Sequence, residues 1–314
     1  MQQYRLGCPV RIAGRPSLQH PPHAAHFSVQ LIALRDILTY LHQQHIHLYR
    51  LSPALLPAPD SPDTPPYHTA GQHLNECAPE VAHLRDLAHQ FAIRLTMHLP
   101  HHLSLSTPDT AHAARSIAQI EAQALLLHHL APDDGLLILH MAGPTSEPAA
   151  TLQRFANRYQ ALSPLARARL AVEHDTAFSL GTLLILHQHC GIPIVFDYLH
   201  HLLHNPHRLP LRTALGLALA TWPPHQRPKI HLSTHRTEAH LLPSTHDRSR
   251  HILPPRPGQH ADYINPHDML AILQAAQGAP SFDIMLEARA ADLALLRLRH
   301  DIARLAPTLA PAIA

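Results

Sequence analysis

The chain has 314 residues and a formal net charge of only +2. It is long enough for one large core, but its bulk charge excludes nucleic-acid binding by overall electrostatics, leaving only a local Arg-lined groove for that role. Cys8, Cys77 and Cys190 form no C-x-x-C pair, so a disulfide framework is excluded and a reducing compartment is expected.

The start M-Q-Q-Y-R-L-G lacks the apolar core of a signal peptide, and no uncharged apolar run reaches ~18 residues. The expectation is a soluble, cytoplasmic protein with no membrane partner. Lys229 is the single lysine, while histidine occurs 33 times. A GC-rich coding bias accounts for abundant Ala, Pro, His and Arg. A lysine that survives such a bias invites a specific role.

In chain order, Tyr4–Cys8 reads as a strand. Ser28–His47 reads as an amphipathic helix, apolar at Leu31, Leu34, Ile37, Leu38 and Leu41. His47–Ser52 is a second strand, and the Pro-rich stretch Pro53–Pro66 is expected as an active-site loop because the same rhythm resumes beyond it. Helix Pro79–Phe91 and strand Ile93–His98 follow, then helix Ala111–Leu130 and strand Leu136–His140. Next come helix Thr151–Leu162, strand Ala171–Glu173, helix Leu180–Cys190 and strand Ile194–Asp197. The chain closes with helix Leu211–Ala220, strand Lys229–Leu232, helix Pro266–Gln277, strand Phe282–Glu287 and helix Ala288–Leu305. Eight strands alternating with helices predict an α/β protein, a single (β/α)₈ TIM barrel over residues 1–314. An open doubly wound sheet is the alternative, but it would not gather so many strand ends about one point.

Those ends carry chemistry. Gly191–His201 reads G-I-P-I-V-F-D-Y-L-H-H, a buried apolar run that stops at Asp197 with histidines after it. Ser52, His98, His140, Glu173, His231 and Glu287 close the other runs. Scattered histidine is expected on loops and helix faces too, but chance would not also place Glu173, Asp197 and Glu287 at equivalent ends. Carboxylate oxygens and imidazole nitrogens without thiolates suit Mn, Fe, Zn or Mg.

Eight short pieces in one order extend this reading. They are Y-R-L-S (Tyr49–Ser52), H-L-P (His98–Pro100), S-T-P (Ser106–Pro108), R-F (Arg154–Phe155), the Gly191–His201 stretch, P-K-I-H-L-S (Pro228–Ser233), H-A-D-Y-I (His260–Ile264) and D-I-M-L-E-A (Asp283–Ala288). With them the chain resembles the UV damage endonucleases, metal-dependent DNA repair enzymes in the barrel superfamily of endonuclease IV and xylose isomerase.

The resemblance implies cleavage of damaged double-stranded DNA immediately 5′ to a lesion by a monomer carrying up to three divalent ions, Mn being the usual one. It implies that His98, His140 and Glu173 hold one ion and that Glu173 bridges to a second, which is completed by Asp197, His231 and Glu287. His200 and His260 would hold a third beside Lys229, carboxylated on its side chain, with Glu173, Lys229 and Glu287 catalytic. A further ligand, His68 or its neighbour His73, is implied in the loop after the second strand.

The lesion-reading positions depart from the family pattern: His101 and His102 stand where an amide and an aromatic wedge into the duplex. Cys8 stands where an aromatic lines the damaged bases, His174 replaces an Asn, and Arg289 replaces a Lys. Two alternatives remain. One is a barrel metalloenzyme acting on a small sugar or phosphorylated substrate, against which no Gly-rich phosphate loop follows the last strands. The other is a non-catalytic DNA-binding relative, against which the ligand set is intact.

Overall fold

The computed structural model describes residues 4–18, 26–57, 66–144, 146–243 and 250–313. Strands β1 (Arg5–Pro9), β2 (Leu48–Leu51), β3 (Arg94–His98), β4 (Leu136–His140), β5 (Leu170–Glu173), β6 (Ile194–Asp197), β7 (Lys229–Leu232) and β10 (Asp283–Leu286) form a closed barrel in which every pair is parallel. The expected TIM barrel is present. Helices α1 (Phe27–Gln43), α3 (Ala78–Gln90), α4 (Thr110–Leu130), α5 (Pro148–Ala161), α6 (Pro164–Arg167), α7 (Leu180–Cys190), α9 (Leu211–Leu219), α10 (Pro266–Ala275) and α11 (Ala291–Leu305) supply the outer layer.

Local chemistry sets several of these boundaries. Asp109 caps α4 by accepting from the amides of Ala111 and His112, and Ser179 caps α7 by accepting from Thr182. Gly191, at φ +74°, ends α7 in the left-handed region and turns the chain into β6. None of the described helices is long and apolar enough to cross a membrane.

Several elements escaped the periodicity, the short α6 among them. Helix α2 (Pro66–Glu76) starts at the last residue of the expected loop and packs on α4; it buries only Thr69, Ala70 and Leu74, too narrow a stripe to announce itself. Helix α8 (Tyr198–Leu203) starts directly after β6, capped by Asp197. A two-stranded antiparallel ribbon, β8 (His240–Pro243) with β9 (Arg250–Leu253), rises between β7 and α10. The last helix begins at Ala291 rather than Ala288, because the amides of Arg289 and Ala290 are drawn off to the carbonyls of Ala261 and Asp262.

Alternation along a strand gives the barrel interior its polar column. Arg94, Thr96 and His98 share one face of β3, and Lys229 and His231 share one face of β7. The bottom of this column is closed by Asp283. Its carboxylate accepts from Arg5 at 2.8 Å, Arg94 at 2.9 Å and Arg227 at 2.7 Å, and it has no solvent exposure. Burial alone would raise the Asp283 pKa, but the charges of Arg94, Arg5 and Arg227 outweigh it and hold the group ionised.

Asp283→Ala leaves buried guanidinium charge without its counter-ion and is expected to cost about 3–5 kcal/mol in urea denaturation. Because the folded pKa is depressed, the stability it contributes is complete above pH ~4 and is lost as pH falls through the lower folded value. Equal acid sensitivity of wild type and variant would contradict this.

Candidate metal centre

The carboxyl ends of five strands deliver the site. Pairing sets His140 beside Glu173 across β4–β5 and Asp197 beside His231 across β6–β7. The amide of Glu287, one residue past β10, donates to the carbonyl of Leu232 at 2.9 Å and so ties that side chain to the end of β7.

Glu173 is the hub. It is 1% exposed, and four imidazoles converge on it. His98 Nε2 and His231 Nδ1 each lie 2.9 Å from its Oε2, and His140 Nε2 lies 3.7 Å from the same oxygen. His200 Nδ1 lies 3.5 Å from its Oε1 and 3.5 Å from Asp197 Oδ1. Glu287 adds a carboxylate 3.4 Å from His231 Nδ1 and 3.9 Å from His260 Nδ1, and it is ion-paired with Arg50.

Two sets of side chains can each offer donor atoms that all lie within 4.8 Å of one another: His98, Glu173 and His231, and Glu173, Asp197, His231 and Glu287. They share Glu173 and His231. A divalent metal fits this donor set for a physical reason. Asp197 Oδ2 and His231 Nε2 are buried without a hydrogen-bond partner among the described residues. Buried acceptors left this way are costly unless a cation takes them.

Charge balance points the same way. Burial, with Glu173 and Glu287 adding to it against the opposing charge of His200, pushes Asp197 up to about 8. Three buried carboxylates are thus too many for the protein's own cations at neutral pH. Glu173 would be raised by burial, yet His231, His140 and His200 hold it well below the usual carboxylate range. Burial would likewise raise Glu287, but Arg50 and then His231 lower it further. His200 goes up to about 10, since bonding to Glu173 and the charge of Asp197 overcome its burial. His231 is driven down to about 4 by burial and stays neutral, as a metal ligand must be.

The ligand rings are oriented from behind. His140 Nδ1 faces Asp175 Oδ2 at 3.1 Å, His98 Nδ1 faces the Leu99 carbonyl at 3.1 Å, and His200 Nδ1 faces the His174 carbonyl at 3.0 Å. For His98 and His140 this leaves Nε2 toward Glu173, the arrangement seen when a histidine binds metal with its other nitrogen held by an oxygen. Asp175 and Arg50 were not anticipated. The run E-H-D at Glu173–Asp175 offered a signal for the first, and Arg50 offered none, because it sits on a strand rather than at its end.

His174, which stands in place of an Asn, is buried and pushed down to about 3 by burial and the charge of His200. Its neutral Nε2 accepts from the Asp197 amide at 3.0 Å. Lys229 is fully buried, and its Nζ donates to Thr96 Oγ1 at 3.1 Å. Burial, then the charges of Arg50 and Arg94, lower its pKa well below the usual value.

Not every expected residue arrives. His68 is exposed on α2, where its contact is Gln72 at 3.5 Å, and His73 on the same helix lies against Phe27 and Glu76. Neither lines the metal cavity, because the segment that carries them packs as a helix on α4 instead of crossing the barrel mouth. Cys8 is also displaced from its expected role: it has no exposure and belongs to the core beneath β1, where no substrate can touch it.

His101 and His102 are both exposed. The His101 ring stacks on His140 at 4.5 Å and borders the metal cavity, a cleft of about 640 Å³. The backbone carbonyl of His102 accepts from His112 at 2.7 Å.

Comparison with known proteins gives the family. The chain is 26% identical over 262 residues to a UV DNA damage endonuclease of Bacillus pumilus, covering 82% of this chain and 75% of the relative. It is 26% identical over 280 residues to one of Bacillus mycoides, covering 87% and 81%. The fold superposes on the crystal structure of SacUVDE with a TM-score of 0.80 at 22% identity, covering 96% of this chain and 99% of that one. The sequence model of UV-endonuclease UvdE matches residues 27–310, and the chain belongs to that family rather than to the sugar-converting enzymes that share its barrel.

Proposed function

We propose that this endonuclease cuts damaged double-stranded DNA immediately 5′ to a lesion, by hydrolysis of a phosphodiester assisted by two or three divalent ions, with Mn favoured over Zn, Fe or Mg. The observation that carries the reading is Glu173, a buried carboxylate on which four imidazoles converge in a chain of the UV-endonuclease family.

His98, His140 and Glu173 would hold one ion, and Asp197, His231 and Glu287 a second, with Glu173 shared. His200 and His260 are the candidates for a third. When bound, such ions lower the pKa of water and shelter charge on the entering and leaving oxygens of the phosphate. The protein's own groups do the rest. Asp175 and the carbonyls of Leu99 and His174 fix which nitrogen each ring presents. Arg50 holds Glu287 against the cluster, and Arg50, His101 and His260 line the cleft above it. DNA as substrate, a monomeric state and a reducing, cytoplasmic setting belong to this proposal.

Lys229 suits carboxylation on chemical grounds. A neutral amine adds to carbon dioxide with loss of one proton; burial and the charges of Arg50 and Arg94 shift Lys229 toward that form, and the two guanidiniums are nearby cations for the resulting carbamate. That carbamate would present an anionic oxygen to the third ion, with His200 and His260 opposite.

Three outcomes test the proposal. Glu173→Ala is expected to abolish nicking of a UV-irradiated duplex and to lower bound metal in elemental analysis, while Asp175→Asn weakens metal affinity about 10–100-fold with the fold intact. Full metal retention by Glu173→Ala would refute the shared-ligand reading. For Lys229, carbon-13 carbon dioxide should give a carbamate NMR resonance that disappears in Lys229→Ala, together with loss of metal at the His200–His260 end. A silent spectrum in metal-loaded, active enzyme would reject the modification.

The third outcome concerns lesions. His101 and His102 are smaller and more polar than an amide–aromatic pair, and Cys8 contributes no surface. Discrimination for UV dimers over abasic sites is expected to be weak, and His101→Gln with His102→Tyr should raise it. The measurement is the ratio of nicking rates at fixed salt. A strong wild-type preference that the double change leaves untouched would remove both histidines from lesion reading.

A further inference from the structure

Beside the metal cleft lies a second cavity of about 390 Å³, and the two share Gly258 and His260. Its remaining walls are Arg236, Gln259 and Arg289, with no carboxylate residue among the described lining. Arg236 is the unusual member. It is 4% exposed, and its Nε and Nη2 have no hydrogen-bond partner among the described residues.

Arg94 and Arg169 each leave a single buried nitrogen, Nη2 and Nε respectively, without a partner among the described residues, whereas Arg236 leaves two. Arg94 places its Nε and Nη1 on the Asp134 and Arg227 carbonyls and the Asp283 carboxylate. Arg169 places its Nη1 and Nη2 on the Leu165 and Pro132 carbonyls and on His128. An uncompensated buried guanidinium is expensive, so the fold keeps this one in place for an anion that binds from outside.

The position is rigid. The Arg236 amide donates to the Gln259 carbonyl at 2.8 Å, the Ala261 amide donates to Thr234 at 2.8 Å, and His235 bridges to His260 between them. Arg236 therefore stands at a fixed register from a candidate metal ligand. Gly258, at φ +79° and without a side chain, lines both cavities, so no side chain at that position stands between them. Arg289 adds a second cation. It stands at the exposed rim, with Asp262 3.7 Å away.

We propose that Arg236, with Arg289, forms a phosphodiester subsite that holds the DNA backbone phosphate next to the one being cut. A planar guanidinium matches two phosphate oxygens at once, which a buried Arg236 with free donors is suited to do. The inference rests on the endonuclease reading and adds a residue that positions the strand.

The test uses the full-length, metal-loaded protein and lesion-bearing duplexes in which single phosphates flanking the lesion are replaced, one at a time, by uncharged methylphosphonates. Affinity is read by fluorescence anisotropy across a salt series. Wild type should lose affinity at one position beside the cleavage site. Arg236→Gln should bind the unmodified duplex about tenfold more weakly, with a salt slope lower by about one, and should no longer respond to that methylphosphonate. Metal content should be unchanged.

A variant that keeps the wild-type affinity and slope, or still senses the same methylphosphonate, overturns the subsite. If Arg236→Gln does not fold, Arg289→Gln, at the exposed rim, must show the same loss of response, and its failure to do so is equally decisive. A wild type that neither binds nor nicks lesion DNA would instead refute the endonuclease reading, so the two failures are distinguishable.

Discussion

Everything at the mouth of this barrel depends on how a buried carboxylate at the end of β5 is neutralised. Glu173 has almost no solvent around it, and its neighbours include two more carboxylates, Asp197 and Glu287. Three like charges in a dry site repel, and the surrounding imidazoles answer only part of that repulsion, as the raised Asp197 shows. A cluster that is unfavourable as bare protein is a favourable place for divalent cations.

The barrel interior is graded along its axis by the same electrostatic logic. At the bottom, guanidinium groups from β1, β3 and the approach to β7 surround Asp283, so charge is settled internally and the closure is structural. In the middle, Lys229 donates to the hydroxyl of Thr96, and burial and nearby arginines lower its pKa. At the top, Asp197 Oδ2 and His231 Nε2 remain without hydrogen-bond partners among the described residues. The bottom, Arg94 Nη2 apart, pairs its charges internally while the top leaves ligand atoms open, which agrees with catalytic residues gathering at the carboxyl face of such barrels.

The loops add what the strands cannot. The segment between β7 and α10 pairs His235 with His260, which brings His260 within reach of Glu287 and Arg236 beneath the rim. Asp175 turns back to hold His140, and His101 leans its ring on the same histidine. These contacts join residues distant in sequence, and each restricts a ring that would otherwise rotate.

Much of this was legible from the residues alone. The barrel followed from short apolar runs in a steady alternation, since strands buried on both faces leave that imprint whatever their neighbours. His98, His140, Glu173, Asp197, His231 and Glu287 were readable because a strand end has one position, and a ligand there has no packing reason. Elements lacking an apolar rhythm were not readable: α2 buries a narrow stripe, and each strand of the β8–β9 ribbon has only four residues, H-L-L-P and R-H-I-L, too few to set an alternation. Only the tertiary structure decided that His68 and His73 ride a helix away from the mouth, that Cys8 is core, and that Arg50 and Asp175 belong to the centre. The reason is physical: periodicity records which side of an element meets the core, whereas the partner of a particular side chain depends on how elements far apart in the chain are packed.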